Sequence, residues 1–201
     1  MISIILASQS PRRKQLLSIL GIKFEVISSD FDESTVEFKI SPQEFCESLA
    51  YNKAKVVADK NPGKFVIGAD TIVFCNNKIY PKPENNKIAS FFLNELSNKT
   101  HHVYTGLSLI MNDRVHTFHE CTAVTFKKIS KNEIEYYINN FYSLDKAGAY
   151  GIQDWSSIFV KKIEGCYFNV VGFPISKFYT ELQLIYPKIL ENLLVAKLKN
   201  V

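Results

Sequence analysis

The chain predicts an α/β fold built on a mixed, twisted sheet with flanking helices. Three observations carry that expectation. β-prone apolar runs such as "SIIL" and "KFVIGADTIVFC" recur along the chain, and capped amphipathic segments lie between them. One stretch departs from the alternation: "HHVYTGLSLI" and "RVHTFHECTAVTF" flank "MND" and read as an antiparallel hairpin. At 201 residues with 46% hydrophobic content, one domain over 1–201 is expected, with 1–185 as core and 186–201 as a C-terminal helical extension.

A first strand is expected from Ile2 to Ala7. The next helix opens on Ser10 as N-cap with Pro11 in its first position, buries Leu16, Leu17 and Leu20, and stops at Gly21. "FEVISS" reads as a short strand and "DFDES" as an acidic loop. Ser41, Pro42 and Glu44 form a capping box for a helix ending near Asp59, after which Asn61, Pro62 and Gly63 break the chain. "KFVIGADTIVFC" is a strand closed by the turn "NNK", and "ENNKIASFFLNELS" is a third helix. After the hairpin, "SKNEIEYYINNF" is a fourth helix, capped by Ser130 with Glu133 three residues on. The polar, glycine-bearing "LDKAGAYGIQ" leads to a strand "SIFVKKIEG" and a last amphipathic helix near "SKFYTELQLIYP". Beyond it, Ile189, Leu190, Leu193, Leu194 and Leu198 recur at helical spacing, suited to packing on the core or on a second subunit.

Composition narrows the class of partner. The 24 Lys+Arg stand against 20 Asp+Glu, a net charge of +4 spread in mixed sign, which suits a small polyanion. A stable nucleic-acid interface has no dense basic stripe or aromatic recognition motif to rest on. No apolar run approaches the roughly 20 residues of a membrane helix. Cys46, Cys75, Cys121 and Cys166 are far apart and form no C-x-x-C pair, so they read as reduced, half-buried thiols in a cytoplasmic protein. His101, His102, His116 and His119 show no H-E-x-x-H spacing, and no P-loop, nucleophile elbow or G-x-G-x-x-G occurs.

"ASQSPRRK" places two serines, a proline and three cations where a strand feeds a helix. Unpaired amides at such a helix start favour an anion, whereas an ordinary solvated first turn would leave Arg12 and Arg13 idle. Successive helical residues point about 100° apart, so the two guanidinium groups serve different partners unless their side chains bend. Asp70 interrupts an apolar strand, and an ionised carboxylate there must be paired, exposed or metal-bound. Strict alternation sends Asp70 and Thr71 to opposite faces, so their meeting on one ligand requires the strand to end or bulge near Gly68. Lys53 follows Phe45 and Leu49, with Val56 next, on the helical face expected to point at the core; it either snorkels to water, the commoner outcome, or reaches into a cleft. Glu33 and Lys82 carry weaker signals as surface charges.

Taken in order, "LASQSPRRKQLL", "GADTIV", "KPENNKIASFFLNELSNKTHHVYTG", "LDKAGAYGIQ" and "IEGCYFNVVGFP" resemble the Maf family of nucleoside triphosphate pyrophosphatases, the septum-formation-inhibitor-like proteins. The resemblance runs from Ile5 to about Pro174. It implies an inosine-triphosphatase-like (Maf/Ham1) fold, two lobes around a nucleotide cleft, and hydrolysis between the α and β phosphates to a nucleoside monophosphate and pyrophosphate. It further implies a divalent cation, Mg²⁺ or Mn²⁺, and a homodimer as one arrangement. Asp70 is then the catalytic base, with Ser8, Arg12, Arg13, Glu33, Lys53 and Lys82 around the triphosphate and metal, and Glu33 and Asp70 as the metal carboxylates. Arg12, Thr71 and Gln153 match the subgroup that acts on dTTP and UTP. Departures from the family pattern are Pro81, the pair Asp154 and Trp155, and Cys166; the pair adjoins the base-reading glutamine and bears on substrate preference. Two other readings compete: a non-enzymatic nucleotide or nucleic-acid-binding regulator of cell division, and a nucleotide phosphatase using the same cleft.

Overall fold

The computed structural model describes residues 2–38 and 41–190. The chain runs β1 (Ile4–Ala7), α1 (Pro11–Ile19), β2 (Glu25–Val26), α2 (Pro42–Asp59), β3 (Phe65–Cys75), β4 (Lys78–Tyr80), α3 (Asn86–Leu96), β5 (Thr100–Met111), β6 (Arg114–Phe126), α4 (Lys131–Asn140), β7 (Val160–Glu164), α5 (Tyr167–Val171) and α6 (Ile175–Ile185). Short 3₁₀ turns cover Glu33–Thr35, Ala147–Ala149 and Trp155–Phe159. The strands form one sheet in the order β2-β1-β3-β5-β6-β7, with β4 added to β3. β1 runs parallel to β2 and β3, and the remaining pairs are antiparallel, so the expected mixed α/β sheet is present.

Local chemistry explains most element boundaries. Ser10 caps α1 by accepting from the Arg13 amide, and Gly21, at φ 65°, takes the left-handed conformation after its end. The Ser130 and Glu133 capping box of α4 is complete. At α2 only half of the expected box forms: Ser41 accepts from the Glu44 amide at 3.2 Å. Asn76 and Asn77 both take positive φ, which is what the tight β3-β4 hairpin demands. The strand expected over "SIFVKKIEG" is shorter than its β-prone residues suggest, because Asp154 caps a 3₁₀ turn through Phe159 by accepting from the Ser156 amide. The short helix α5 in "CYFNVVG" carries no N-cap signal in the sequence and no side chain caps its start, while Gly172, at φ 115°, ends it. Ile189 and Leu190 are buried in the core; Leu193, Leu194 and Leu198 lie outside the described residues.

β3 is the spine of the molecule, buried on both faces as its continuous apolar run requires. Phe65, Ile67 and Ala69 join Leu17, Leu109, Phe173 and Phe178 in one apolar body against α1 and α6. Farther along the same face, Val73 and Cys75 join Leu93, Val124, Phe126 and Tyr137 in a second body against α3 and α4. On the opposite face, Val66 and Ile72 pack under α2. Each fully buried Leu, Ile or Phe contributes about 1.5–3 kcal/mol, so these bodies hold the helices against the sheet. The seat of α2 is made by two glycines: a Cβ on Gly68 would lie 2.3 Å from the Ala50 carbonyl, and one on Gly106 would lie 2.3 Å from the Cys46 carbonyl.

Candidate active site

β1 pairs with one edge of β3 only as far as Gly68, and β4 takes up the same edge only from Val73. Between them the edge is open, while β5 covers the other edge from Val66 to Phe74 without a register shift. The strand therefore neither ends nor bulges near Gly68, contrary to expectation. Asp70 does point to the α2 face and Thr71 to the other, yet both reach one cleft because that cleft opens on the unpaired edge and is entered from both faces. A crevice beyond the carboxyl end of a parallel strand, where the chain leaves for opposite sides, is the usual ligand position in such sheets.

The cleft measures about 640 Å³ and draws its lining from both apolar bodies, Ile152 and Val171 on one side, Val73, Val103 and Tyr150 on the other. Ser8, Arg12, Arg13, Glu33, Lys53, Asp70, Thr71, Lys82 and Gln153 all line it. Cations and anions are nearly balanced there: Arg12, Arg13, Lys53, Lys82 and Lys146 against Glu33, Asp70, Asp145 and Asp154.

Lys53 does not snorkel. The buried face of α2 is Cys46, Leu49, Ala50, Lys53, Ala54 and Val57, one position off the expected stripe, with Phe45 and Val56 only half-buried. Close seating on the two glycines delivers the Lys53 ammonium to Asp70 Oδ1 at 2.5 Å and to Glu33 Oε1 at 2.7 Å. Only one oxygen of Asp70 is engaged among the described residues, so the other is free to accept from water. Burial works against ionisation of Glu33, but Lys53, with Lys82 and Arg13 behind it, outweighs burial and holds its carboxyl below the usual range.

The two arginines diverge as helical geometry requires. Arg13 turns inward: its Nε donates to the Gly172 carbonyl at 3.0 Å, Nη1 to Ala69 O at 2.8 Å and Ser8 Oγ at 3.2 Å, and Nη2 to Thr71 Oγ1 at 2.9 Å. It closes the open edge of β3, and one of its five donors remains for a ligand. Burial lowers its pKa and Asp70 offsets part of that, yet a guanidinium stays charged throughout the working range. Thr71 is similarly committed, accepting from Arg13 and sharing a 3.0 Å hydrogen bond with Thr105. Arg12 crosses the cleft to Asp145, Nη1 to Oδ2 at 2.6 Å and Nη2 to the main-chain carbonyl at 3.2 Å. Lys82 and Gln153 are exposed in the cleft, with no hydrogen bond to the described residues.

A family model described as Maf-like protein matches residues 3–185. This chain belongs to the Maf-like family. It is 49% identical over 180 residues to a dTTP/UTP pyrophosphatase of Bacillus cereus (strain ZK / E33L), covering 90% of this chain and 94% of that one. It is 48% identical, with the same coverage, to a dTTP/UTP pyrophosphatase of Bacillus anthracis. Among solved structures, a HAM1 protein from Coxiella burnetii aligns at 15% identity with a TM-score of 0.47, over 65% of this chain and 76% of that one.

Among the described residues of this Maf-like chain, no cluster of three or more His, Cys, Asp or Glu side chains is gathered for a metal. What the cleft offers is a carboxylate pair with a cation already between its members, the Lys53 ammonium. That donor set fits a hard divalent ion held by one or two carboxylates and completed by water and phosphate, as magnesium is commonly bound. His116 and His119 are each bonded to a carboxylate, Glu181 and Glu47 respectively, and His101 to the Tyr150 hydroxyl. All four cysteines are free; Cys46 and Cys75 are fully rather than half-buried. No helix among the described residues is long and apolar enough to cross a membrane.

Sequence reasoning passed over Asp145 and Lys146, although both stand in the quoted segment "LDKAGAYGIQ". Their charges sit in a polar loop and resemble any solvated pair, so no local signal marked them. Burial works against ionisation of Asp145, but hydrogen bonds from Lys146 and Arg12 keep its carboxyl below the usual range. The departures Asp154 and Trp155 are absorbed without filling the cleft: Trp155 stacks on Tyr137 and Phe141, at centroid distances of 6.1 and 5.9 Å.

Proposed function

We propose that this chain hydrolyses dTTP and UTP to the nucleoside monophosphate and pyrophosphate, by attack of water at the α-phosphate. One observation carries the chemistry: Asp70 is buried in an apolar strand, bonded through a single oxygen among the described residues, and opens on a cleft that also holds Arg12, Arg13 and Lys82. The names of relatives near half identity support the substrates.

In this reading the free oxygen of Asp70 takes the proton of the attacking water and orients its lone pair. The Lys53 ammonium holds Asp70 in place through Oδ1 and lies beside the charge that develops on phosphate. Lys82, exposed and without a hydrogen bond among the described residues, holds the far end of the triphosphate, and Arg12 takes the phosphate or sugar at the helix start. Arg13 contributes its remaining donor and holds Ser8 and the β3 edge in place. Gln153 presents an amide with donor and acceptor to a pyrimidine edge, and Thr71 supports that wall. A divalent cation, Mg²⁺ or Mn²⁺, would be held by Asp70 and Glu33, where it neutralises the pyrophosphate leaving group when bound. The same reading takes 1–201 as one catalytic domain with a core over 1–185, in the cytoplasm. A homodimer belongs to it through the family resemblance alone.

Turnover of dTTP with Mg²⁺ in ¹⁸O-water tests this directly. The label is expected in the monophosphate with unlabelled pyrophosphate. Label in the departing pyrophosphate, or release of orthophosphate and a diphosphate, overturns it.

A further inference from the structure

Four charged side chains join the two walls of the cleft in series. Arg12, on α1, grips Asp145 through Oδ2 at 2.6 Å and the main-chain carbonyl at 3.2 Å. Asp145 Oδ1 accepts from Lys146 Nζ at 2.7 Å. Lys146 also donates to the Tyr142 carbonyl and forms an ion pair with Asp154 Oδ2 at 3.7 Å. Asp154 is fixed in turn, Oδ1 accepting from the Ser156 amide at 2.9 Å and Oδ2 from the Tyr137 hydroxyl at 3.2 Å. Asp154 directly follows Gln153, so the series runs from the arginine at the helix start to the chain neighbour of the exposed amide.

The commitments matter as much as the contacts. An ammonium has three protons, and Lys146 faces three oxygens with its side chain only 13% exposed. Both oxygens of Asp145 and both of Asp154 are engaged. None of the three has capacity left to bind a nucleotide strongly, although all three line the cleft. Arg12 differs: three of its donors remain for a ligand after Asp145 is served. Gln153 is wholly unengaged among the described residues.

We infer that Lys146, with Asp145 and Asp154, is a specificity-determining positioning residue: it fixes the separation between Arg12 and Gln153, and so the size of base the cleft accepts. The inference rests on the proposed pyrophosphatase reading and adds a cause for its pyrimidine preference. A purine needs a wider gap between those two groups. The series sets that gap by electrostatic tension across the cleft, and it opens when the central cation is removed.

The test is steady-state pyrophosphate release from dTTP, UTP and dGTP by wild type, Lys146→Met, Asp145→Asn and Lys146→Arg. Loss of one charged contact is expected to raise KM for dTTP roughly tenfold in the first two variants, and to cut the preference for dTTP over dGTP by about the same factor. Their kcat stays within about threefold, since no group that touches the reacting atoms is lost. Lys146→Arg restores much of the preference. Lys127→Met, which removes an ion pair to Glu133 on α4, lowers the melting temperature and leaves the preference unchanged. If Lys146→Met does not fold, Asp154→Asn carries the same test, because the amide keeps the Ser156 cap while losing the charge. Variants that lower stability with the substrate ratio and KM unchanged, or that lose kcat at constant KM, overturn the inference. A wild-type protein that releases pyrophosphate from no triphosphate removes the functional reading itself, a result distinct from either.

Discussion

Lys53 and Asp70, 17 residues apart, meet at 2.5 Å where α2 lies on the face of β3 and β5. Neither is more than a tenth exposed, so removing one partner leaves the other buried without its main contact. Replacing Lys53 by Met leaves an unpaired buried carboxylate and is expected to cost about 3–5 kcal/mol in denaturant unfolding. Replacing Asp70 by Asn leaves Lys53 with Glu33. That variant should keep its fold by circular dichroism and lose about three orders of magnitude in pyrophosphate release. Equal stability losses in the two variants would contradict the asymmetry.

The seat of α2 makes a second prediction. Gly68→Ala or Gly106→Ala forces a methyl into a backbone carbonyl at 2.3 Å, which only a shift of the helix can relieve. Each change should destabilise by about 1–3 kcal/mol. Activity should fall further than stability does, because the same shift withdraws Lys53 from Asp70. Melting curves beside rates at a temperature where the variant is fully folded would show it.

Arg13→Lys keeps a positive charge and loses the planar fork. Four hydrogen bonds tie that fork to Gly172, Ala69, Ser8 and Thr71. An ammonium can satisfy only some of them, and a stability loss of about 2–3 kcal/mol is expected together with reduced kcat/KM. If Arg13 served phosphate alone, the lysine variant would melt with wild type, and calorimetry separates the two.

His101 is wholly buried against Phe126 and Tyr150, and burial, helped by His102, pushes its pKa from 6.5 down to about 3. The unfolded chain therefore takes up a proton below 6.5 that the folded chain refuses until about 3. Stability from this residue is complete above 6.5 and drains away as pH falls. Between pH 7 and pH 5 the loss should be about 2 kcal/mol. His101→Phe should remove that acid slope while costing about 1 kcal/mol at pH 7, since the Tyr150 hydroxyl loses its partner. Urea midpoints at the two pH values would measure both effects.

Helix starts and strand runs were legible because they depend on neighbours within a turn or two. Ser10 with Pro11, Ser130 with Glu133, and the double-sided apolar run of β3 each declare themselves within a few residues. Part of the cleft was legible too: Asp70 and Lys53 stand where an isolated element would not tolerate a charge, and the motif order tied Ser8, Glu33, Lys82 and Gln153 to one family, whereas Asp145 and Lys146 passed as an ordinary solvated pair. Directions and commitments were not. Whether Lys53 meets water or Asp70 depends on two glycines in strands that pack beneath α2.

The sequence by itself determined most of the elements, their mixed α/β class, the family, and a first set of polar groups for the cleft, without Asp145 and Lys146. Only the tertiary structure decided that Asp70 and Thr71 enter that cleft from opposite faces of an unbroken strand, that Arg13 is spent largely on closing its edge, and that Arg12 answers to Asp145. Caps and periodicity act over a single turn of chain, whereas Arg12 and Asp145 lie 133 residues apart and Arg13 and Gly172 lie 159 apart. Contacts of that span exist only once the sheet has gathered its strands, so no local pattern can announce them.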